Sequence, residues 1–300
     1  MRRLSSLLTI LALPFVTQAR DVYYQGDLAP LNILPTFDKG YLAVYEPEQT
    51  IALYGPDGAL AYRAKAQVPG ESAHAINNAT PDADGTLAIA IERRVDKSPG
   101  GGIAVFDPTG IQSAFIDTGT DWMPTQVCFG PDHSIWAIGW KGLVPSATSS
   151  VDYFVLRNYT RDGRLLGAFL PRSSFEQDPV GPNVGGCQLR NANGRIGALF
   201  YATSLLPAGA ERRTPEWIET DLRGNVVRRV DTPKKTVRAF SGDGFLYAMG
   251  YRGGYTVLNP TVNSWRIVPG ATDGNLLGAD GSSLVFQIRG TNRVVWSPLE

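Results

Sequence analysis

Short apolar runs bounded by polar turn residues recur along the chain after residue 20. The stretch GPDHSIWAIGW (residues 130–140) has the same outline as SGDGFLYAMGY (residues 241–251), with an Asp in a turn followed by a short apolar strand. Six stretches follow this plan, and the Asp or Asn of each turn is its anchor: Asp38, Asp84, Asp132, Asn193, Asp243 and Asp280. The anchors are about 40 to 60 residues apart, which is typical of a repeat architecture.

A second element follows each of the first five anchors and consists of a strand, a polar turn and another strand. It occupies residues 51–64, 103–116, 154–169, 217–230 and 255–268. The turns use Pro, Asp, Asn and Gly, which suit the fixed or positive φ of a tight reversal. With one strand before the anchor and one after it, each unit has four antiparallel strands. The pattern predicts an all-β, six-bladed β-propeller and argues against a two-sheet sandwich or two small domains.

The sixth unit lacks one strand, because only NRVVWSPLE (residues 292–300) follows its strand after the anchor. The stretch DVYYQGDL (residues 21–28) lies before the first unit and can supply the missing outer strand. Closing the ring with strands from both ends of the chain removes the free sheet edges that promote aggregation. We therefore expect the N-terminal strand to complete the last blade.

Residues 1–19 have the pattern of a secretory signal peptide. Arg2 and Arg3 precede an apolar run over residues 7–16, and Thr17-Gln18-Ala19 offers small residues at a signal peptidase site. A membrane anchor would need roughly 20 apolar residues, about twice the length of this run. We expect cleavage after Ala19, a secreted or periplasmic product, and a single propeller domain over residues 20–300 with no membrane span.

The composition narrows the choice of partner. Hydrophobic residues make up 43% of the chain, which is ample for a buried core, and 28 basic residues balance 28 acidic ones. Because no excess of positive charge exists, nucleic acid is not expected as a partner. We expect a monomer.

Two segments resemble a known repeat. MPTQVCFGPDHSIWAIGW and YFVLRNYTRDGRLLGAFL (residues 123–140 and 153–170) resemble an NHL-type repeat, and similar outlines occur in the TolB-like and regucalcin/gluconolactonase six-bladed propellers. The resemblance covers roughly residues 21–300, and it implies the fold because its motifs are turn and packing residues. Long, irregular insertions depart from the NHL pattern and leave the subfamily open.

No familiar catalytic signature occurs in the sequence. His133 belongs to an anchor turn and is expected to be a solvent-exposed turn residue, and His74 has only Ser72 beside it as a nucleophile. The regucalcin-like resemblance implies a divalent ion in the central channel, for which the oxygen-bearing candidates are Glu71, Asn77, Asn78, Asp178 and Asn183. None sits in a motif that matches the ligand positions of that group, so no cofactor or metal ligand is assigned. A divalent-metal-dependent, lactonase-like hydrolase or lyase is the alternative function.

Long connections favour a binding or scaffolding role. Residues 92–102, 140–150 and 202–215 are predicted loops on one face of the ring, where propellers place binding sites. The predicted contacts to a protein, a small molecule or a saccharide are aromatic and basic side chains on or beside these loops: Trp122, Trp140, Arg93, Arg94 and Arg213. The alternative is neutral surface variation.

Cys128 and Cys187 occupy comparable strands before the third and fourth anchors. In a propeller both strands would be innermost and would converge near the axis, where Cα atoms about 5.5 Å apart permit a disulfide. We expect this disulfide, and the alternative is two buried thiols.

Overall fold

The structure is a computed structural model that describes most of the chain after residue 19. The described ranges are residues 20–28, 35–70, 74–95, 98–120, 122–141, 152–175, 187–192, 194–200, 215–234, 236–242, 245–250, 255–259, 263–268, 274–281 and 283–298. The predicted signal peptide, residues 1–19, and the anchors Asn193 and Asp243 lie outside these ranges.

The described residues form six four-stranded antiparallel sheets, one per blade. Blades 1 to 3 contain β2 (Thr36–Asp38), β3 (Tyr41–Glu46), β4 (Thr50–Tyr54), β5 (Leu60–Lys65), β6 (His74–Pro81), β7 (Leu87–Val95), β8 (Ser98–Phe106), β9 (Gln112–Gly119), β10 (Met123–Phe129), β11 (Ile135–Trp140), β12 (Phe154–Tyr159) and β13 (Leu165–Pro171), followed by a 3₁₀ turn (Arg172–Ser174). Blades 4 to 6 contain β14 (Cys187–Ala192), β15 (Arg195–Phe200), β16 (Glu216–Thr220), β17 (Val226–Asp231), β18 (Thr236–Gly242), β19 (Phe245–Gly250), β20 (Tyr255–Asn259), β21 (Ser264–Ile267), β22 (Gly274–Asp280), β23 (Ser283–Ile288), β24 (Arg293–Pro298) and the N-terminal β1 (Asp21–Tyr23).

Blade 6 is completed by the N-terminal strand. Its order is β1-β24-β23-β22, and β1 pairs antiparallel with β24 through Asp21 opposite Val295 and Tyr23 opposite Arg293. The prediction of an all-β, six-bladed propeller closed by the N-terminal strand is confirmed. Among the described residues no helix is long and apolar enough to span a membrane.

The middle strands of the blades are apolar on both faces because each blade packs between two others. In blade 1, residues 42–45 of β3 and residues 51–54 of β4 are all buried, whereas the outer strand β5 alternates between exposed positions and positions that are partly or fully buried. A strand covered on both faces needs a continuous apolar run, and a strand covered on one face needs alternation. The packing of neighbouring blades therefore explains the short apolar runs in the sequence.

Tight contacts join successive blades at their outer hairpins. Gly224, in the turn between β16 and β17, has φ of +81°, and a Cβ atom there would lie 1.9 Å from Cδ1 of Phe169 in β13. Only glycine fits both the backbone angle and the space. Blade 4 is thereby packed closely onto the outer strand of blade 3.

The two cysteines lie on the innermost strands of adjacent blades, as expected. Cys128 of β10 is buried in the apolar cluster between blades 3 and 4, and Cys187 begins β14. The side chain of Cys187 lies outside the described residues, so the disulfide stays a prediction.

Candidate functional site

Among the described residues, the β7–β8 hairpin of blade 2 has the longest strands on the face that carries the connections between second and third strands. Each strand has nine residues, compared with six in β3 and five in β4 of blade 1. The hairpin is paired as far as Val95 opposite Ser98. We call this side of the ring the hairpin face. Most of the predicted loop over residues 92–102 is therefore strand, and the loop interpretation is wrong there.

Close packing explains why glycine-rich sequence forms a strand in β8. A Cβ atom on Gly101 would lie 2.4 Å from Cδ of Pro124, and one on Gly102 would lie 2.3 Å from Cζ of Phe115. Glycine inside a strand marks close approach of a neighbour. The glycines of SPGGG (residues 98–102) therefore allow Pro124 of blade 3 and Phe115 of β9 to pack closely against the base of the hairpin.

Arg93 supports the hairpin from within. Its side chain is only 6% exposed, its guanidinium forms an ion pair with Asp117, and Nη1 donates to the Pro69 carbonyl at 3.3 Å. The guanidinium carbon also lies 5.4 Å from the centre of the Phe115 ring. The expectation that Arg93 is exposed is wrong, because its side chain is buried where it holds β7 against β9.

Trp122 is also a packing residue. It is fully buried between blades 2 and 3, its Nε1 donates to the Phe154 carbonyl at 2.9 Å, and the guanidinium of Arg157 lies 4.4 Å from its ring centre. The expectation that Trp122 is exposed is wrong. Trp140 is half-buried, since it ends β11 opposite Met123 and packs against the cluster between blades 3 and 4.

The described exposed residues of the β7–β8 hairpin include charged side chains. Along β7, Glu92 and Arg94 are exposed on either side of the buried Arg93, and Lys141 is half-exposed after β11. Arg213 and the predicted loops over residues 142–150 and 202–214 lie outside the described residues. Of the four predicted contact residues that the structure describes, Arg94 and part of Trp140 are accessible on this face.

The opposite side of the ring carries the anchor turns, and we call it the anchor face. Here the carboxylate of Asp82 is fully buried and accepts hydrogen bonds from four groups. Lys39 Nζ lies 2.7 Å from Oδ1, His133 Nδ1 lies 2.7 Å from Oδ2, Arg161 Nη2 bonds to the same Oδ2, and the Ala83 N–H donates to Oδ1 at 2.7 Å. We call the side chains of Asp82, Asp84, Lys39, His133 and Arg161 the Asp82 cluster.

The Asp82 cluster joins three blades and keeps its carboxylates ionised. Arg161 also donates to Asp84 Oδ2 at 2.8 Å. Burial alone raises the pKa of Asp82, but hydrogen bonds from Lys39, His133 and Ala83 outweigh it and hold the pKa below its ordinary value. Burial also raises the pKa of Asp84, but hydrogen bonds from Arg161 and Thr86 outweigh it and lower this pKa to about 2. His133 is an exposed turn residue, as predicted, and it also binds Asp82.

Sequence comparison gives no family for the chain, since neither a protein-family model nor a curated protein matches it. Solved structures do match. A protein of unknown function from Bacteroides caccae aligns with a TM-score of 0.51 and 15% identity over 82% of this chain and 81% of its own. The Pan2 WD40 domain of Neurospora crassa aligns with a TM-score of 0.50 and 12% identity over 88% and 74%.

These likenesses show a β-propeller fold. BamB from Moraxella catarrhalis also aligns, with a TM-score of 0.43 and 14% identity over 88% of this chain and 71% of its own, which is too low a score to carry an argument. At these identities the comparisons describe architecture and say nothing of a ligand.

Two of the candidate channel ligands, Asn77 and Asn78, form hydrogen bonds between blades 2 and 3. Asn77 Nδ2 donates to the Pro124 carbonyl at 3.0 Å, and Asn78 Oδ1 accepts from the Val127 N–H at 3.0 Å. Thr80 Oγ1 adds a bond to the Val127 carbonyl at 2.8 Å. The other candidates, Glu71, Asp178 and Asn183, lie outside the described residues. Within the described ranges no three His, Cys, Asp or Glu side chains gather as a metal site would require.

Proposed function

We propose that the chain is an exported binding or scaffolding module whose partner contacts the hairpin face over blades 2 and 3. The observation that carries this proposal is the long β7–β8 hairpin, which extends beyond the corresponding strands of blade 1. At about 3.3 Å per residue, three or four extra residues per strand project the hairpin by roughly 10 Å. Export rests on the secretory pattern of residues 1–19.

Several independent contacts hold this hairpin in place. The buried Arg93 pairs with Asp117, Gly101 and Gly102 admit close packing by neighbouring side chains, and Asn78 ties β6 to β10. A projecting element that is rigid before binding loses little conformational entropy when a partner is bound. These contacts at the base of the hairpin therefore support a recognition role for it.

The chemistry of the exposed side chains favours a protein partner. Glu92 and Arg94 project from the hairpin with opposite charges, and the accessible part of Trp140 lies on the neighbouring blade. Charged groups around an aromatic residue are typical of the rim and centre of protein interfaces. The alternative is a saccharide ligand, in which case partner recovery and crosslinking would yield no protein partner.

Charge reversal at the hairpin tests the proposal. We expect the Arg94→Glu variant to lower recovery of the partner from an envelope extract by about tenfold, or ~1.4 kcal/mol, without changing the melting temperature. The matched control is Arg223→Glu, which reverses an exposed arginine in the β16–β17 turn on the anchor face. Equal recovery of the partner by the wild-type protein and both variants would contradict the proposed surface. A stoichiometric divalent ion in the purified protein would instead favour the metal-dependent hydrolase or lyase.

A further inference from the structure

Two anchor turns place side chains where other turns have glycine. Lys39 and His133 follow the anchors of blades 1 and 3 and have φ of +48° and +63°, in the left-handed region. Counted from the anchor, the next residues in blades 2, 4 and 6 are Gly85, Gly194 and Gly281, with φ of +86°, +83° and +54°, whereas in blade 1 the glycine, Gly40 with φ of +89°, comes one residue later. A residue with a Cβ atom is less favourable than glycine in this region, so a contact made by Lys39 or His133 offsets part of that cost.

Both side chains make such a contact with Asp82 of blade 2. Lys39 reaches Asp82 from blade 1, and His133 reaches the same carboxylate from blade 3. Arg161, in the turn between β12 and β13 of blade 3, completes the set by bonding to both Asp82 and Asp84. One buried carboxylate therefore receives donors from the two blades that flank its own.

We infer that the Asp82 cluster is an acid-sensitive latch, which fastens blades 1, 2 and 3 together at the anchor face and releases them when its carboxylates are protonated. The fastening is local, because the apolar contacts between these blades do not depend on it. Release therefore means that the anchor turns separate while the rest of the ring stays folded.

The balance of charge explains the sensitivity to acid. The groups facing Asp82 are Lys39 from the β2–β3 turn, His133 from the β10–β11 turn and Arg161 from the β12–β13 turn, with Asp84 in its own turn. Tyr41 and Tyr62 add uncharged phenols, since they contact Gly85 of the same turn. At neutral pH the two carboxylates offset the two permanent cations. Protonation of both carboxylates removes their negative charge, and Lys39 and Arg161 then repel each other.

The direction of the pH dependence follows from the carboxyl groups. Their pKa values are lower in the folded protein than in the unfolded chain, with Asp84 at about 2. Such groups stabilise the fold fully above the ordinary pKa of about 3.9, and this stabilisation is lost as the pH falls through the folded value. The latch is therefore closed above about pH 5, and the stabilisation from Asp84 is lost between about pH 4 and about pH 2.

Hydrogen exchange of the mature chain, resolved to single amides, tests the latch. The amides of Gly85 and His133 bond to the carbonyls of Asp82 and Gly130, and the Thr291 amide bonds to the Ile288 carbonyl in blade 6 as a reference. After correction for intrinsic rates, we expect Gly85 and His133 to exchange at least about tenfold faster relative to Thr291 at about pH 2.5 than at about pH 6.5. The Asp82→Asn variant should show the fast rates at both pH values. Equal acceleration at Thr291, or wild-type protection in Asp82→Asn, would overturn the latch.

A second pair of variants keeps the test decisive if Asp82→Asn fails to fold. His133→Gly suits the left-handed backbone better than the native residue, so a purely conformational role predicts slower or unchanged exchange at Gly85. The latch predicts exchange at least about tenfold faster, because one donor to Asp82 is lost. Asn263→Gly is the matched control, since the exposed Asn263 has φ of +48° in the β20–β21 turn and should leave Gly85 unchanged. Unchanged protection in His133→Gly would contradict the latch.

Discussion

Deleting residues 21–28 is expected to leave blade 6 open and to cause either loss of soluble protein or a large fall in melting temperature. The deletion removes the edge strand β1 and the buried side chains of Tyr24 and Leu28, which pack with Tyr54 and Trp296. Burial of two such side chains contributes about 1.5–3 kcal/mol each, and the exposed edge of β24 adds a site for aggregation.

The comparison protein for this deletion begins at Arg20 and retains β1. Thermal unfolding monitored by near-ultraviolet circular dichroism, together with size-exclusion chromatography, measures the difference. A deletion variant that stays monomeric and melts like the comparison protein would show that β1 is dispensable for closure. That result would contradict a stabilising role for the pairing of Asp21 with Val295.

Replacing Trp122 with alanine is expected to lower the free energy of unfolding by about 3–5 kcal/mol. The substitution empties a fully buried site between blades 2 and 3, removes the hydrogen bond to the Phe154 carbonyl and leaves the Arg157 guanidinium without its ring. Urea unfolding of the two proteins measures the loss.

Trp140→Ala is the matched comparison for Trp122→Ala. Trp140 is half-buried, so its removal exposes less apolar surface and should cost clearly less than the loss of Trp122. If Trp140→Ala is the more damaging change, or if neither substitution alters stability, the burial of these two residues is contradicted.

The architecture is predictable from the sequence because its signals are local. Each anchor turn and each outer hairpin lies within a short stretch, and the pairing of successive strands follows from chain order. The missing strand of the last unit also predicts closure by residues 21–28, since a ring leaves only one place for it. Local turn chemistry and strand count are therefore sufficient for the fold.

The contact residues are harder to predict because burial in a propeller depends on the neighbouring blade. Trp122 and Arg93 lie beside chain segments that have the composition of surface loops, yet the next blade or strand covers both. The glycine run in β8 also has the composition of a loop, although its glycines make room for Phe115 and Pro124. These errors share one cause, which is that the sequence pattern does not show how closely separate elements pack.

The Asp82 cluster escapes sequence reasoning because its members are distant along the chain. Lys39 is 43 residues from Asp82, and Arg161 is 79 residues away. Aligning the anchor turns does offer one signal, since Lys39 and His133 stand where other turns have glycine. A non-glycine residue at a left-handed position is a reason to look for a partner in space.

Site-specific photocrosslinking in living cells tests the proposed binding surface most directly. A photoreactive amino acid at position 94, on the exposed edge of the β7–β8 hairpin, is compared with the same amino acid at position 223 in the β16–β17 turn of the anchor face. The proposed function predicts a discrete crosslinked protein from position 94 and none from position 223. A discrete product only from position 223, or none from either position while the protein is folded and exported, would contradict a protein partner on the hairpin face.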